Sequence, residues 1–147
     1  MLLFGYCRPP SKELERCASI LFSRLSERVV VSKLDIIVRE WRPTENECHF
    51  NARYLTLLDP TYKPVHGWLY IEGLDALGFV RFASHSVVED SDGILFDITP
   101  CNSDTTKLGF IRSRLSSDLY DKLVDDLISV HGSSNCLDHL LVKAKNC

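Results

Sequence analysis

One thiol, one imidazole and one carboxylate stand in the order Cys48, His85, Asp97 in this chain of 147 residues. A cysteine attacks as its thiolate, so the pKa has to fall below the usual value near 8.5, and a helix N-terminus or a nearby imidazolium lowers it. Cys48 follows the polar run Arg42 to Glu47, in which Pro43, Thr44 and Asn46 favour the start of a helix. Apolar residues at 50, 54, 55, 57 and 58 follow at roughly helical spacing until Asp59-Pro60 breaks the pattern. The spacing predicts a helix that opens on Cys48, whose own N–H would then point towards a developing oxyanion. His85 and Asp97 lie six residues either side of Ser91. A hairpin turning there sets them directly opposite each other on one face, where an imidazole and a carboxylate can hydrogen-bond. A slip of one residue would send them to opposite faces. The three residue types are those of a nucleophile, its base and the group that orients the base.

The elements that must position these residues read as α+β. After Pro9-Pro10, Ser11 is an N-cap for a helix with Leu14, Cys17, Ala18, Leu21, Phe22 and Leu25 on its apolar side. Val29 to Val38 is rich in β-branched residues and reads as one strand or two short ones. HGWLYIEG, GFVRFASHSVVE and GILFDITP, separated by the turn-rich stretches 73–78 and 90–93, read as an antiparallel meander. Ser116 or Ser117 caps a helix carrying Leu119, Leu123, Leu127 and Ile128, which Gly132 closes. A shorter helix is expected from about Asn135 to Lys145. The expectation is one domain over residues 1–147, with N-terminal helices packed on an antiparallel sheet and C-terminal helices after it.

With 45% apolar and 25% charged residues the composition is that of a globular chain, not a disordered one. A net charge of -3 with scattered basic residues argues against nucleic acid as a partner. The opening MLLFGYC is too short an apolar run for a signal segment or a membrane span. The six cysteines show no paired spacing, which favours a reducing, cytoplasmic setting. Delivery into the cytosol of another cell by a leaderless route fits that pattern equally.

Other arrangements are weaker. Cys48, His49, His66, His85 and Cys101 include soft metal ligands, but only Cys48 and His49 are close in sequence, and helix neighbours point about 100° apart. No metal and no cofactor is expected, and no Gly-rich phosphate loop occurs. Asn51 lines the cleft or lies on an exposed helix face. His66 is read as a structural or rim residue, and Glu89 as a second-choice orienter should the register differ. Asp104, Asp118, Asp121, Asp125 and Asp126 read as a solvated helix face, not a carboxylate dyad.

The stretch from Cys48 to Pro100 resembles the papain-like and transglutaminase-like cysteine enzymes. In those chains a catalytic cysteine opens a helix, a sheet then carries histidine, and the adjacent strand carries aspartate. KPVHGWLYIEG is similar to the aromatic strand after the helix, HSVVED to the histidine element, and Asp97-Ile98-Thr99-Pro100 to the aspartate element. The resemblance implies a papain-like or transglutaminase-like α+β fold, with Cys48 as nucleophile, His85 as general base and acid, and Asp97 as orienter. It also implies acyl transfer on an amide bond of a protein or peptide, by a protease, amidase, deamidase or transglutaminase. No glutamine stands upstream of Cys48 to serve an oxyanion. Trp41 and Asn46 are the candidates for that role, each weighed against packing or capping. The alternative function is a non-catalytic protein-interaction module on the same fold.

Overall fold

Ser11 starts the first helix by satisfying one of its orphan N–H groups, since its hydroxyl accepts from the Leu14 N–H at 3.2 Å. The computed structural model describes residues 5–101, 107–131 and 135–141. Helix α1 spans Lys12–Ser23 and buries Leu14, Ala18 and Leu21, spaced i, i+4 and i+7. Strands β1 (Val29–Val30) and β2 (Ser32–Lys33) come next, then helix α2 (Cys48–Leu58). Strands β3 (Lys63–Ile71), β4 (Phe79–Glu89), β5 (Leu95–Asp97) and β6 (Gly109–Arg112) follow, then helix α3 (Ser117–His131) and strand β7 (Cys136–Leu140).

The long β4 organises the sheet. One of its edges pairs with β3 from Arg81 to Glu89. Its other edge is shared, by β7 along Phe79–Ala83 and by β5 at Val88 and Glu89. Residues 84–87 therefore face a notch between two partner strands. The strand order is β1-β6-β3-β4-β5-β2, with β7 attached to β4. Strands β1 and β2 occupy opposite ends of that order, yet only Val31 separates them in the chain, so the sheet has to curl until its ends approach each other. Val31 is buried inside the curl with Val65, Leu69, Val87 and Phe110. The outer face carries Trp68, Val80, Phe82 and Ile111 beneath Leu14, Ala18 and Leu21 of α1 and Tyr120, Leu123, Val124 and Leu127 of α3. Fully burying each large apolar side chain contributes roughly 1.5–3 kcal/mol, which makes this layer the main source of stability. Helix α2 packs Ala52 and Leu55 on Val88 and Ile98 in a third cluster.

The α+β class, the first two helices and α3 agree with the expectation, and Val29 to Val38 resolves into two short strands. Three features differ. Strand β6 (Gly109–Arg112), which pairs with β3, is not among the expected elements. The sheet is mixed, because β2 runs parallel to β5. The second C-terminal helix is replaced by β7, whose Cys136–Leu140 segment pairs with the open half of β4. There the Arg81 Nε donates to Asp138 Oδ1 at 2.7 Å, with both side chains buried. That pairing outweighs a locally helical pattern. Gly132 and Lys145, expected at helix ends, and Asp104, expected on a helix face, lie outside the described residues. No helix among the described residues is long and apolar enough to cross a membrane.

Candidate active site

The β4–β5 turn sets the geometry of the histidine and the aspartate. Asp90 Oδ1 accepts from the N–H groups of Asp92 (3.0 Å) and Ile94 (2.8 Å). Gly93 takes the left-handed φ of 80° that closes the loop. The turn thus centres on Asp92, one residue later than expected, and the register moves by two: Val88 pairs with Phe96 and Glu89 with Leu95. Continued, that register sets Asp97 opposite Val87, not opposite His85. A shift of two preserves the face, and the carboxylate reaches its target diagonally. His85 Nε2 and Asp97 Oδ2 are 2.9 Å apart, with both residues buried.

Cys48 sits at the first position of α2, whose N-cap Glu47 makes no side-chain capping bond. The N–H groups of the first turn keep their dipole and donor capacity. The α2 N-terminus lies against the notch in β4, where it meets side chains of residues 84–86 directly. Three bonds fasten it there. Asn51 Nδ2 donates to the Thr44 carbonyl at 2.8 Å and to Thr99 Oγ1 at 3.0 Å, and the Asn46 N–H donates to the Pro100 carbonyl at 3.1 Å. The segment Asp97 to Pro100 therefore holds both halves of the site: its aspartate orients His85, and its next residues anchor the helix that carries Cys48. Lys33 Nζ braces the same segment, donating to the Thr99 carbonyl at 2.5 Å and lying 3.5 Å from Asp97 Oδ2.

Burial raises the Cys48 thiol, but hydrogen bonds to His49 and His85, and their charges, overturn that effect and hold it at about 6. Burial lowers His85, while hydrogen bonds to Asp97 and Cys48 push it up to about 9. Burial acts to raise Asp97, and the His85 hydrogen bond and charge bring its pKa below the ordinary carboxylate value. Near neutral pH the sulfur is a thiolate beside an imidazolium, the form in which a cysteine is nucleophilic. With Nε2 committed to Asp97, the other ring nitrogen of His85 is left for the sulfur. By contrast, burial pushes the Cys17 thiol up to about 11.

The structure brings Cys48, His85 and Asp97 together and places the remaining candidates elsewhere. Trp41 packs against Tyr54, with ring centroids 4.9 Å apart, and joins the α2 core cluster. Asn46 is exposed in the turn before α2 with φ 61°. Asn51 lines no open cleft and lies on no exposed face. It is fully buried, and its carbonyl also accepts from the Thr44 N–H at 3.0 Å. Glu89 pairs with Arg112. His66 is structural, as one of its two readings has it: it is 9% exposed, and its Nδ1 lies 2.5 Å from Ser86 Oγ. His49 Nδ1 lies 2.6 Å from the same hydroxyl. Asp121 is committed to Arg53 across the space between α2 and α3, at 2.5 Å. Among the described residues no three His, Cys, Asp or Glu side chains could hold a metal ion.

Sequence reasoning missed Ser84, Ser86, Arg53 and Lys33. Ser84 and Ser86 flank His85 on β4, so their alternation to the opposite face was visible, while the helix that covers that face was not. Compared with models of protein families, with curated proteins and with solved structures, the chain matches none.

Proposed function

We propose that the chain is a cysteine-dependent acyl-transfer enzyme of papain-like or transglutaminase-like type acting on amide bonds of a protein or peptide. The observation that supports this most is the His85–Asp97 pair, 2.9 Å apart, beside the helix start that carries Cys48, with the thiol pushed down and the imidazole pushed up. The thiolate adds to the carbonyl carbon, and the negative charge on the carbonyl oxygen falls near the N–H groups that open α2. His85 delivers its proton to the departing amine as the tetrahedral intermediate collapses to a thioester. It then takes a proton from the attacking water or amine, and collapse of a second tetrahedral intermediate frees the sulfur. Asp97 keeps the imidazole in the required orientation and stabilises its charged form.

Water as acceptor gives a protease, amidase or deamidase, and an amine gives a transglutaminase. Incubation with a mixed protein digest plus a dansylated primary amine distinguishes them by mass spectrometry. New N-termini mark proteolysis, a gain of about one mass unit at glutamine marks deamidation, and the dansyl adduct marks transamidation. Cys48→Ala should abolish the product while leaving the thermal midpoint unchanged. If wild-type Cys48 alkylates with the pH profile of a free thiol, the enzyme reading fails and an interaction module remains.

A further inference from the structure

On the outer face of β3 and β4, one hydroxyl stands between two imidazoles. Ser86 Oγ lies 2.6 Å from His49 Nδ1 and 2.5 Å from His66 Nδ1. A hydroxyl has one proton to give and two lone pairs to receive, so the protons on the two rings are linked. The far side of His66 settles the direction, because its Nε2 lies 3.2 Å from Arg53 Nη2. A guanidinium only donates, so this nitrogen accepts and carries no proton. Burial first, then the charges of Arg53 and His49, lower His66 to about 4, and near neutral pH its ring holds a single proton. That proton is on Nδ1 and is donated to Ser86 Oγ. The Ser86 hydroxyl proton is then free to be donated to His49 Nδ1. If His49 carries one proton it sits on Nε2, and if it carries two, Nε2 holds one of them. Either way the ring presents Nε2–H.

That donor faces Ser84 Oγ at 3.4 Å, a long contact to a hydroxyl already engaged at 2.8 Å by Asn135 Nδ2. His49, the residue next to Cys48 in the first turn of α2, is also among the causes that lower the Cys48 thiol, through hydrogen bonding and its charge. We infer that His49 is a positioning residue whose Nε2–H is held towards the Cys48 sulfur, and that Asp121, Arg53, His66 and Ser86 form the hydrogen-bonded line that keeps the proton there. The inference rests on the reading of Cys48 as nucleophile and extends it: the sulfur is served by two imidazoles reaching it from different elements. His49 on α2 donates without taking part in proton transfer. His85 on β4 exchanges the proton. The remaining titratable group facing the sulfur is Tyr120 on α3. Burial, then the sulfur's charge, raise its hydroxyl, which donates to the Gly67 carbonyl at 2.8 Å. Arg53 is itself fixed by Asp121 of α3 at 2.5 Å, so the line starts at the contact between two helices.

Two measurements on the full chain test this. Long-range proton–nitrogen NMR at pH 8 reads the tautomers directly, and the expected result is a proton on His49 Nε2 and on His66 Nδ1. A His49 ring protonated on Nδ1 alone, or a His66 ring protonated on Nε2, overturns the inference. The second measurement is the pH midpoint of iodoacetamide alkylation at Cys48. Ser86→Ala should raise it by about one unit, the scale of one weakened charge-assisted hydrogen bond. Ser86→Thr keeps a hydroxyl and should leave the midpoint at the wild-type value. A midpoint unmoved by Ser86→Ala, in protein that remains folded by circular dichroism, overturns the inference. The wild-type profile separates this from the enzyme reading: a free-thiol midpoint defeats the nucleophile, whereas a low midpoint with the wrong tautomers defeats only the line through Ser86.

Discussion

Replacing Asp97 by asparagine keeps the shape of the side chain and removes its charge, and the consequences can be worked out atom by atom. The native carboxylate accepts from the Thr99 N–H at 3.1 Å and from His85 Nε2 at 2.9 Å. An asparagine that keeps its oxygen on Thr99 turns an NH2 group towards His85, so Nε2 has to become an acceptor and the ring proton moves to the nitrogen facing sulfur. A hydrogen bond to a charged group contributes about 1.5–3 kcal/mol. At 1.36 kcal/mol per pKa unit, its loss moves the imidazole down by about one to two units. The thiolate loses much of its imidazolium partner, and its midpoint rises from about 6 by a similar amount. At pH 6 the reactive fraction falls from about half to about 1–10%, so alkylation slows about 5- to 50-fold. On the proposed function, amide turnover should fall further, by about 10³–10⁴, because a ring with the wrong tautomer cannot take up the proton. The assay is the rate of iodoacetamide labelling from pH 4 to 10, with the label located by mass spectrometry. Cys17, held at about 11 by burial, serves as the slow internal standard. If Asp97→Asn labels at Cys48 with the wild-type midpoint, the carboxylate does not govern the pair and the reasoning is refuted.

Other outcomes follow from geometry away from the thiol. Gly67→Ala places a Cβ 2.2 Å from the Ile111 carbonyl and 2.6 Å from the Phe110 ring, and should lower stability by about 2–4 kcal/mol in urea unfolding. Asp138→Ala strands Arg81 on a buried strand pair and should lower stability by about 3–5 kcal/mol, whereas an apolar replacement of both residues should recover much of it. His66 has a folded pKa depressed from 6.5 to about 4, so the unfolded chain binds the extra proton in that window. Its contribution to stability is complete above pH 6.5 and lost as pH falls to 4, and His66→Asn should make the urea midpoint less steep with pH there. His85 is raised and Cys48 lowered, so on unfolding between about pH 6.5 and 9 one loses a proton while the other gains one. Their contributions oppose, and the urea midpoint should stay nearly level across that interval.

Local signals identified what depends on local chemistry. The Ser11 cap and the break at Asp59-Pro60 each act within a few residues, and those helix ends form where expected, whereas the β-branched run Val29 to Val38 yields strand only at 29–30 and 32–33. The shared face of His85 and Asp97 was legible for a more forgiving reason. Asp90 and Gly93 displaced the turn by one residue and the register by two, and a period of two absorbs that change. Elements fixed by distant partners were not legible. Cys136–Leu140 becomes a strand because half of one β4 edge is open, and nothing within the segment announces that edge. The line through Ser86 joins residues from α2, β3, β4 and α3, brought together only when two helices dock on one face.

The single residue between β1 and β2 has a temporal consequence. Val29 and Val30 pair with Phe110 and Gly109, while Ser32 and Lys33 pair with Phe96 and Asp97. These five consecutive residues join strands whose paired residues stand 64 to 81 positions later in the chain, so the curl cannot close on a short nascent chain. Lys33 braces Asp97 only after that closure, and Asp97 is what holds the His85 charge beside the sulfur. The brace on Asp97 is therefore among the last contacts of the site to form, although the residues that lower the thiol, His49 and His85, and the carboxylate that holds His85 all lie before residue 98. On the proposed reading, the setting of the nucleophile is finished only when the two ends of the sheet have met.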